Sequence, residues 1–155
     1  MNHGPETPAL RAAEWFLRLA LAASYLSAVA DRFGMWGDPG SPGVAWGAWP
    51  PFMEYVSLLN GFAPAAMHPF LGITATVAEI VIAIGLVIGW KLRFFALSSG
   101  ILLLVFAITM TLAAGVKSPL DYSVFTASAA SFYLAAVISR AKIIVRPESS
   151  EDANV

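Results

Sequence analysis

The segment Pro69–Trp90, PFLGITATVAEIVIAIGLVIGW, has Glu79 as its one acidic or basic side chain and is otherwise apolar, small or hydroxyl-bearing. At 1.5 Å per residue, about 20 such residues span the ~30 Å hydrocarbon layer of a bilayer, so the segment predicts a transmembrane helix. A short connection containing Lys91 leads directly into another apolar segment, Arg93–Ala114. So short a connection predicts that the two helices form an antiparallel hairpin.

Two further apolar segments, residues 9–32 and 119–140, flank this hairpin. Together the four segments predict an all-α membrane protein, an antiparallel four-transmembrane-helix bundle in a single domain over residues 1–146. The composition agrees, because 58% of the residues are hydrophobic and 12% are charged, against about 25% charged in ordinary soluble domains. In an alternative interpretation Ala28–Ala30 is a signal-peptidase site and three spans remain, but Arg18 and the length of this segment favour a retained helix.

A long segment, residues 34–68, connects the first two spans and is rich in glycine, proline and tryptophan. Tryptophan is enriched at the headgroup level of membranes, so we expect this loop to lie against the outer leaflet. Pro51 can begin a helix, and the apolar residues after it recur on one face: Phe52, Val56 and Leu59. The pattern predicts a short amphipathic interfacial helix within the loop.

The lysines and arginines are distributed unevenly between the two ends of the predicted bundle. Arg32 and Lys117 fall on the side of the long loop, and the others fall on the opposite side: Arg11, Arg18, Lys91, Arg93, Arg140, Lys142 and Arg146. Because positive residues accumulate in cytoplasmic loops, both termini are predicted to be cytoplasmic and residues 34–68 extracytoplasmic. The acidic, small and polar tail, residues 147–155, is predicted to be disordered.

Two charged side chains, Arg18 and Glu79, fall within the predicted hydrocarbon layer. Such groups cost about 2.5–3.5 kcal/mol each even on the mildest insertion scale, and their estimated depths differ by no more than one arginine side chain. We therefore expect Arg18 and Glu79 to form a buried ion pair between the first two spans. The pair either locks the helices together or marks a binding or proton-handling site. In a third interpretation Arg18 snorkels to the inner interface and Glu79 is protonated.

Other polar residues follow the helical repeat. A seam of residues spaced by seven runs along the first helix: Arg11, Arg18, Tyr25 and Arg32. The fourth span adds hydroxyl groups at helical spacing, Tyr122, Thr126 and Tyr133, with Ser128 and Ser131 on a neighbouring face. The candidate ligand-binding or buried polar residues are Arg18, Tyr25, Glu79, Tyr122 and Thr126.

The predicted helix ends carry three further signals. Four charged residues at the outer ends predict an outer-rim polar cluster: Asp31, Arg32, Lys117 and Asp121. Ser118 and Asp121 match a capping box that opens the fourth span. Gly85 and Gly89 form a GxxxG pattern, which is typical of close helix contact within a bundle or in a dimer.

Composition excludes several functional classes. The chain has no cysteine, which excludes disulfides, thiolate nucleophiles, iron–sulfur clusters and cysteine-ligated zinc within it. The formal net charge of −1, without a basic run interleaved with aromatics, argues against nucleic-acid binding. His3 and His68 fall near opposite membrane faces, so they cannot ligate a haem together, and no metal site is predicted.

Three stretches of the sequence resemble the DoxX family of small bacterial membrane proteins: Arg18–Leu21 leading to Ala30–Gly34, then Ala78-Glu79, and Lys117–Ser123. The resemblance covers about residues 10–139. It implies a four-helix fold in the bacterial cytoplasmic (inner) membrane, and the family is named for a relative that is a subunit of thiosulfate:quinone oxidoreductase. It implies no particular catalytic residue.

The leading functional hypothesis is a membrane subunit of a redox-linked complex that binds quinone or another lipid-soluble ligand around the buried Arg–Glu pair. No cofactor is expected within the chain, because the sequence shows no metal-ligand set and no flavin motif, so a partner would supply electrons. A second hypothesis is a non-enzymatic membrane anchor or assembly factor for a protein partner or a second copy. A third is a small proton-coupled transporter that uses Glu79, which four spans without visible inverted repeats disfavour.

Overall fold

The computed structural model describes the backbone of residues 7–144 and the side chains of residues 7–139. This part of the chain consists of helices and connecting turns, which confirms the predicted all-α class. The helices are α1 (Pro8–Arg32), α2 (Trp49–Leu59), α3 (His68–Ile88), α4 (Leu92–Ala114), α5 (Lys117–Asp121) and α6 (Val124–Ile144), with a 3-10 turn at Ala65–Met67. The tail predicted to be disordered, residues 147–155, lies outside the described residues.

Local sequence explains where the helices begin and end. Proline occupies the first turn of α1, α2 and α3, where its missing N–H group is not needed. The hydroxyl oxygen of Thr7 accepts from the backbone N–H of Leu10 and caps α1. Gly89 ends α3 with a φ of 80°, a left-handed conformation that glycine adopts without strain.

The four long helices pack around one core. α1 lies against α3, α4 lies against α6, and the turn at residues 89–91 folds α4 back along α3. Side chains from all four helices meet in the centre: Leu21, Ala22, Tyr25, Ile82, Ala83, Leu86, Ala96, Leu134 and Ala135. The alanines in this set let the helix backbones approach closely.

Residues 33–60, which we call the cap, leave the end of α1 and contain α2. The predicted short helix is present and begins at Trp49. Phe52 and Val56 are buried on its inner face, whereas Glu54 is exposed, as the apolar spacing predicted. The cap is therefore a packed part of the structure and not a loose connection.

The fourth predicted segment is divided into α5 and α6, which corrects the expectation of one helix over residues 119–140. Ser123 lies between them with a positive φ of 56°, outside the right-handed helical region. Lys117 and Asp121 form an ion pair across one turn of α5. Because this pair uses the Asp121 carboxylate and α5 has no side-chain cap, the predicted capping box with Ser118 is wrong.

The two glycines of the GxxxG pattern serve contacts inside the bundle. At Gly85 a β-carbon would lie 2.3 Å from the ring of Phe95 on α4. At Gly89 a β-carbon would lie 2.6 Å from Nη2 of Arg18 on α1. The GxxxG pattern predicts close helix contact either within the bundle or in a dimer, and these glycines serve contacts within the bundle.

A Gly85→Ala variant should be less stable than the wild type, because the added methyl group overlaps the Phe95 ring and pushes α4 away from α3. Overpacking of this kind costs about 1–3 kcal/mol, which should lower the midpoint of thermal unfolding in detergent. In a Phe95→Ala background the same substitution should have a much smaller effect. An equal effect in both backgrounds would contradict the contact.

Two helices in the described part of the chain are long and apolar enough to cross a membrane. They are α3 together with the 3-10 turn before it, Ala65–Ile88, and α4, Leu92–Ala114. Of the most apolar 18-residue stretch of each helix, only 39% and 28%, respectively, is buried inside the protein. α1 carries more charge than these two helices, and the apolar stretch of α6, Val124–Ser139, is shorter.

Candidate functional site

The buried carboxylate of Glu79 pairs with Arg32. Nη2 of Arg32 donates to Oε1 of Glu79 at 2.7 Å, and Nη1 donates to the hydroxyl oxygen of Thr76 at 2.7 Å. The two charged side chains are 4% and 2% exposed. Thr76 in turn donates to the backbone carbonyl of Gly72 at 2.8 Å. The predicted Arg18–Glu79 pair is therefore wrong.

The depth of α1 relative to α3 explains this difference. The depths expected for Arg18 and Glu79 assume that the outer end of α1 and the start of α3 lie at the same level in the membrane. In the structure Arg32 instead contacts Thr76, about 12 Å along α3 from His68 at 1.5 Å per residue. Because the two helices run in opposite directions, this offset moves Arg18 to the far end of α3.

Arg18 has a structural role at that end. Its Nε donates to the carbonyl oxygen of Leu86 at 2.8 Å, and its Nη2 donates to that of Val87 at 3.2 Å. These carbonyls lie in the last turn of α3, where helices leave acceptors unpaired and favour a nearby cation. Glu14 pairs with Arg18 at 3.4 Å, and the ring centroid of Trp15 lies 3.8 Å from the guanidinium carbon.

Asp31, next to Arg32, anchors the cap. Its carboxylate accepts three backbone N–H groups, from Ala45 at 2.9 Å, Trp46 at 3.0 Å and Gly47 at 3.3 Å. Gly47 has a φ of 66°, and a β-carbon there would lie 2.5 Å from the backbone nitrogen of Pro39. Glycine is therefore required where the loop meets the buried carboxylate.

Two aromatic side chains of the cap cover Arg32. The ring centroid of Phe52 lies 4.1 Å from the guanidinium carbon, and that of Trp46 lies 5.4 Å from it. Cations are attracted to aromatic faces at such distances, most strongly when they are desolvated. The cap thus shields the ion pair, and we call Asp31, Arg32, Thr76 and Glu79 the Arg32 centre.

The ion pair of the Arg32 centre is half of a bidentate pair. Nε–H and one N–H of Nη2 lie on the same edge of a guanidinium group, and a carboxylate can bind both. Here Nη2 is bonded to Oε1 of Glu79. Nε of Arg32 and Oε2 of Glu79 have no hydrogen-bond partner within the described residues. The centre therefore keeps one free donor and one free acceptor beside its ion pair.

A second buried polar group joins α1, α4 and α6. The oxygen atoms of Tyr25 and Ser99 are 3.0 Å apart, and those of Ser99 and Ser131 are 2.9 Å apart. Ser128 donates to the backbone carbonyl of Gly100 at 2.8 Å. All four side chains are buried. These hydroxyls hold helices together at close range.

Tyr122 and Thr126 do not join this interior, because both are exposed and Tyr122 is 76% exposed. Tyr122 precedes the break at Ser123, so it is not in helical register with the buried serines of α6. It lies near Tyr55 of the cap, where burial raises the pKa of the Tyr55 hydroxyl and the nearby Tyr122 adds to that rise. The five candidate residues therefore occupy separate places rather than one pocket.

The predicted outer-rim cluster is also divided. Asp31 and Arg32 are buried in the Arg32 centre, whereas Lys117 and Asp121 are exposed and pair with each other. α1 ends beneath the cap, and α5 lies at the surface, which accounts for the separation. Among the residues that the structure describes, no group of three or more His, Asp or Glu side chains is arranged to hold a metal ion.

Sequence reasoning missed Trp46, Gly47 and Ser99 as members of these polar groups. Ser99 could have been predicted as a buried polar residue, because the Ser-Ser-Gly stretch at residues 98–100 interrupts an otherwise apolar segment. No sequence pattern indicates Trp46 and Gly47, because their approach to Asp31 depends on the path of the whole loop.

No protein-family model matches the chain, and no curated protein and no solved structure matches it.

Proposed function

We propose that the chain is a multi-pass protein of the bacterial cytoplasmic membrane in which α1, α3, α4 and α6 cross the bilayer and both termini are cytoplasmic. In this proposal it is a non-catalytic membrane subunit of a redox-linked complex with a lipid-soluble substrate such as quinone, as its resemblance to the DoxX family implies. The cap is the surface that serves the partner. The buried anchoring of the cap by Asp31 and Arg32 is the observation that carries the proposal.

The outward faces of the long helices support the membrane location. Large apolar side chains on them are exposed: Phe16, Leu19, Ile84, Ile108 and Tyr133 among others. Soluble monomers rarely expose contiguous apolar patches larger than a few hundred Å². Hydrocarbon around the bundle removes that conflict, because lipid chains are as apolar as these side chains.

The charges of α1 are compatible with a membrane span. Arg18, Asp31 and Arg32 are buried and bonded to other parts of the chain. No charged residue lies between Arg18 and Asp31. Charged residues in membrane helices usually face the bundle interior and pair there, so the position of these side chains supports α1 as a span.

A connection that only joined α1 to α3 would not need two buried charges. Burying an ion costs several kcal/mol unless partners compensate it, and here Asp31 and Arg32 are both used to hold residues 45–52. The result is a fixed surface on which Met35 and Trp36 are 76% and 61% exposed. Methionine and aromatic residues are enriched in protein interfaces, so this surface suits a protein partner.

The redox role is supported by the family resemblance. The chain has no cysteine, so thiol and iron–sulfur electron carriers in such a complex belong to the partner.

A membrane anchor or assembly factor without a redox role is the second candidate function, and the anchored cap supports it as well as it supports a redox subunit. A proton-coupled transporter is disfavoured, because Arg32 occupies the Glu79 carboxylate and the cap covers the pair.

Cysteine labelling tests the proposed topology, and the cysteine-free sequence provides the background. In intact cells a membrane-impermeant maleimide should label Asp38→Cys in the cap and Lys117→Cys in α5. Trp90→Cys and Ser149→Cys should be labelled only after permeabilisation, because the positive-inside distribution places them in the cytoplasm. Labelling of Asp38→Cys and Trp90→Cys from the same side would exclude α3 as a span.

The role of the cap can be tested in native membranes. We expect the wild type to migrate in a complex larger than the 16.5 kDa chain alone. A Met35→Ser, Trp36→Ser variant should lose this complex while the bundle stays folded, because both side chains are exposed. The side-chain hydrogen bond that it removes, from Nε1 of Trp36 to the carbonyl oxygen of Ser27, lies at the surface. Phe94→Ser is the matched control on α4 with a similarly exposed ring. A complex that survives in the cap variant would reject the cap as the partner surface.

A further inference from the structure

A cleft of about 420 Å³ lies between α2 and the start of α3. One wall consists of Trp49, Met53 and Ser57, which recur every four residues and so share one face of α2. The other wall is formed at the start of α3: Ala65, His68, Pro69 and Ile73. The volume lies within the ~300–1,000 Å³ range of small-molecule sites, and no lining residue belongs to the Arg32 centre.

The polar groups that line the cleft offer acceptors at His68 and Ser57 and one donor, the indole N–H of Trp49. Nε2 of His68 lies 3.2 Å from the carbonyl oxygen of Asn60. Because a carbonyl only accepts, Nε2 donates in this bond, and in the neutral form of the ring Nδ1 is then an acceptor. Ser57 donates its hydroxyl proton to the carbonyl of Met53 at 2.9 Å, which leaves the lone pairs of its oxygen as acceptors. A hydroxyl head matches these groups, because it can donate to an acceptor of the cleft and accept from the indole N–H of Trp49.

The cleft lacks the cations that hold a charged lipid head. None of its lining residues is lysine or arginine. Phosphate groups are generally bound by such side chains through charge-assisted hydrogen bonds. The lining therefore favours an uncharged head over a phospholipid headgroup.

An exposed apolar stripe continues from the cleft along one side of α3: Ile73, Val77, Val81, Ile84 and Ile88. It ends at a second cleft of about 230 Å³, lined by Val81, Ile84, Gly85, Ile88, Trp90 and Phe95. From Ile73 to Ile88 the stripe is about 22 Å long at 1.5 Å per residue. This length suits a long apolar chain that lies against the helix.

We propose that the first cleft binds the hydroxyl head of an uncharged lipid and that the apolar chain of this lipid lies along the α3 stripe. The inference rests on the proposed membrane location, because only there does the stripe face hydrocarbon. The polar lining at His68 and Ser57 lies at the outer end of α3, and the apolar lining begins at Ile73. This order matches the change from headgroup level to hydrocarbon in the outer leaflet.

Photolabelling of the full chain in phosphatidylcholine vesicles tests the site, with a long-chain fatty alcohol that carries a diazirine as the probe. Adducts should concentrate on residues 49–57 and 73–84. An excess of unlabelled fatty alcohol should compete, whereas its methyl ether should not, because the ether cannot donate a hydrogen bond. Ile73→Trp should fill the cleft and reduce the adducts roughly tenfold. Ile101→Trp on α4 is the matched control, since the two isoleucines are 54% and 57% exposed.

Each failure of this experiment has a distinct meaning. Equal competition by the methyl ether would overturn the hydroxyl assignment, and stronger labelling by a diazirine phosphatidylglycerol would overturn the uncharged head. Equal effects of Ile73→Trp and Ile101→Trp, or adducts spread evenly over the bundle, would reject the site and leave the membrane location intact. Absence of adducts from α3 and α4 altogether would reject the membrane location itself.

Discussion

A Glu79→Leu variant should lose much of its folding stability, because it leaves the charge of Arg32 buried without a counter-ion. Removing one member of a buried ion pair costs about 3–5 kcal/mol, a large share of the ~5–15 kcal/mol that stabilises a typical domain. Both side chains are almost fully buried, so water cannot replace the lost carboxylate. We expect a lower yield of folded protein and a lower midpoint of thermal unfolding in detergent.

The double variant Arg32→Met, Glu79→Leu should recover much of this stability, because no charge is then left unpaired. Glu14→Leu is the matched control. It removes the carboxylate of another ion pair, with Arg18, but this carboxylate is 23% exposed. Arg18 keeps its hydrogen bonds to the carbonyls of Leu86 and Val87, so the loss of stability should be much smaller than in Glu79→Leu. If Glu79→Leu is no more destabilising than Glu14→Leu, the Arg32 centre does not stabilise the fold.

Asp31→Asn should release the cap while the bundle stays folded. The amide keeps one acceptor oxygen, whereas the native carboxylate accepts from Ala45, Trp46 and Gly47. Oδ2 accepts from both Ala45 and Trp46, and Oδ1 accepts from Gly47. An amide oxygen in place of Oδ2 therefore loses the bond to Gly47. Because a hydrogen bond to a charged group contributes about 1.5–3 kcal/mol, the amides of residues 45–47 should exchange at least ~10-fold faster. Hydrogen–deuterium exchange measured by mass spectrometry checks this result.

Asp38→Asn is the control for this variant, since Asp38 lies in the same loop and is exposed. Peptides from α4 and α6 should exchange at the wild-type rate in both variants. Cap amides that stay equally protected in Asp31→Asn and Asp38→Asn would show that Asp31 does not anchor the cap. Faster exchange throughout α4 and α6 would show that Asp31 stabilises the bundle as a whole.

The helices of this chain could be predicted because their signals are local. The apolar run that contains Glu79 gave α3, the prolines at residues 50–51 gave α2, and Gly89 marked the end of α3. The break between α5 and α6 was missed, because Ser123 adopts a positive φ that serine seldom adopts. Nothing in the neighbouring sequence distinguishes it from a helical serine.

The pairing of the charges could not be predicted in the same way. Arg18 and Arg32 are both on the buried face of α1, and either could reach a glutamate on α3. The choice depends on how far α1 slides along α3, and the sequence pattern of neither helix fixes that distance. The structure fixes it through the cap, whose Phe52 and backbone amides hold Arg32 and Asp31 in place.

Arg32 and Glu79 are 47 residues apart in the sequence, so in the proposed topology Arg32 leaves the ribosome before its counter-ion is made. At roughly 5–20 residues per second, the arginine waits about 2–10 s for Glu79. During this time the outer end of α1 is more stable in water than at its final depth, where Arg32 would be buried without its counter-ion. α1 should therefore reach its final depth only after α3 has been inserted. Docking of α1 then becomes a late step of assembly, and α1 is the helix on which a membrane insertase or a quality-control protease has the longest time to act.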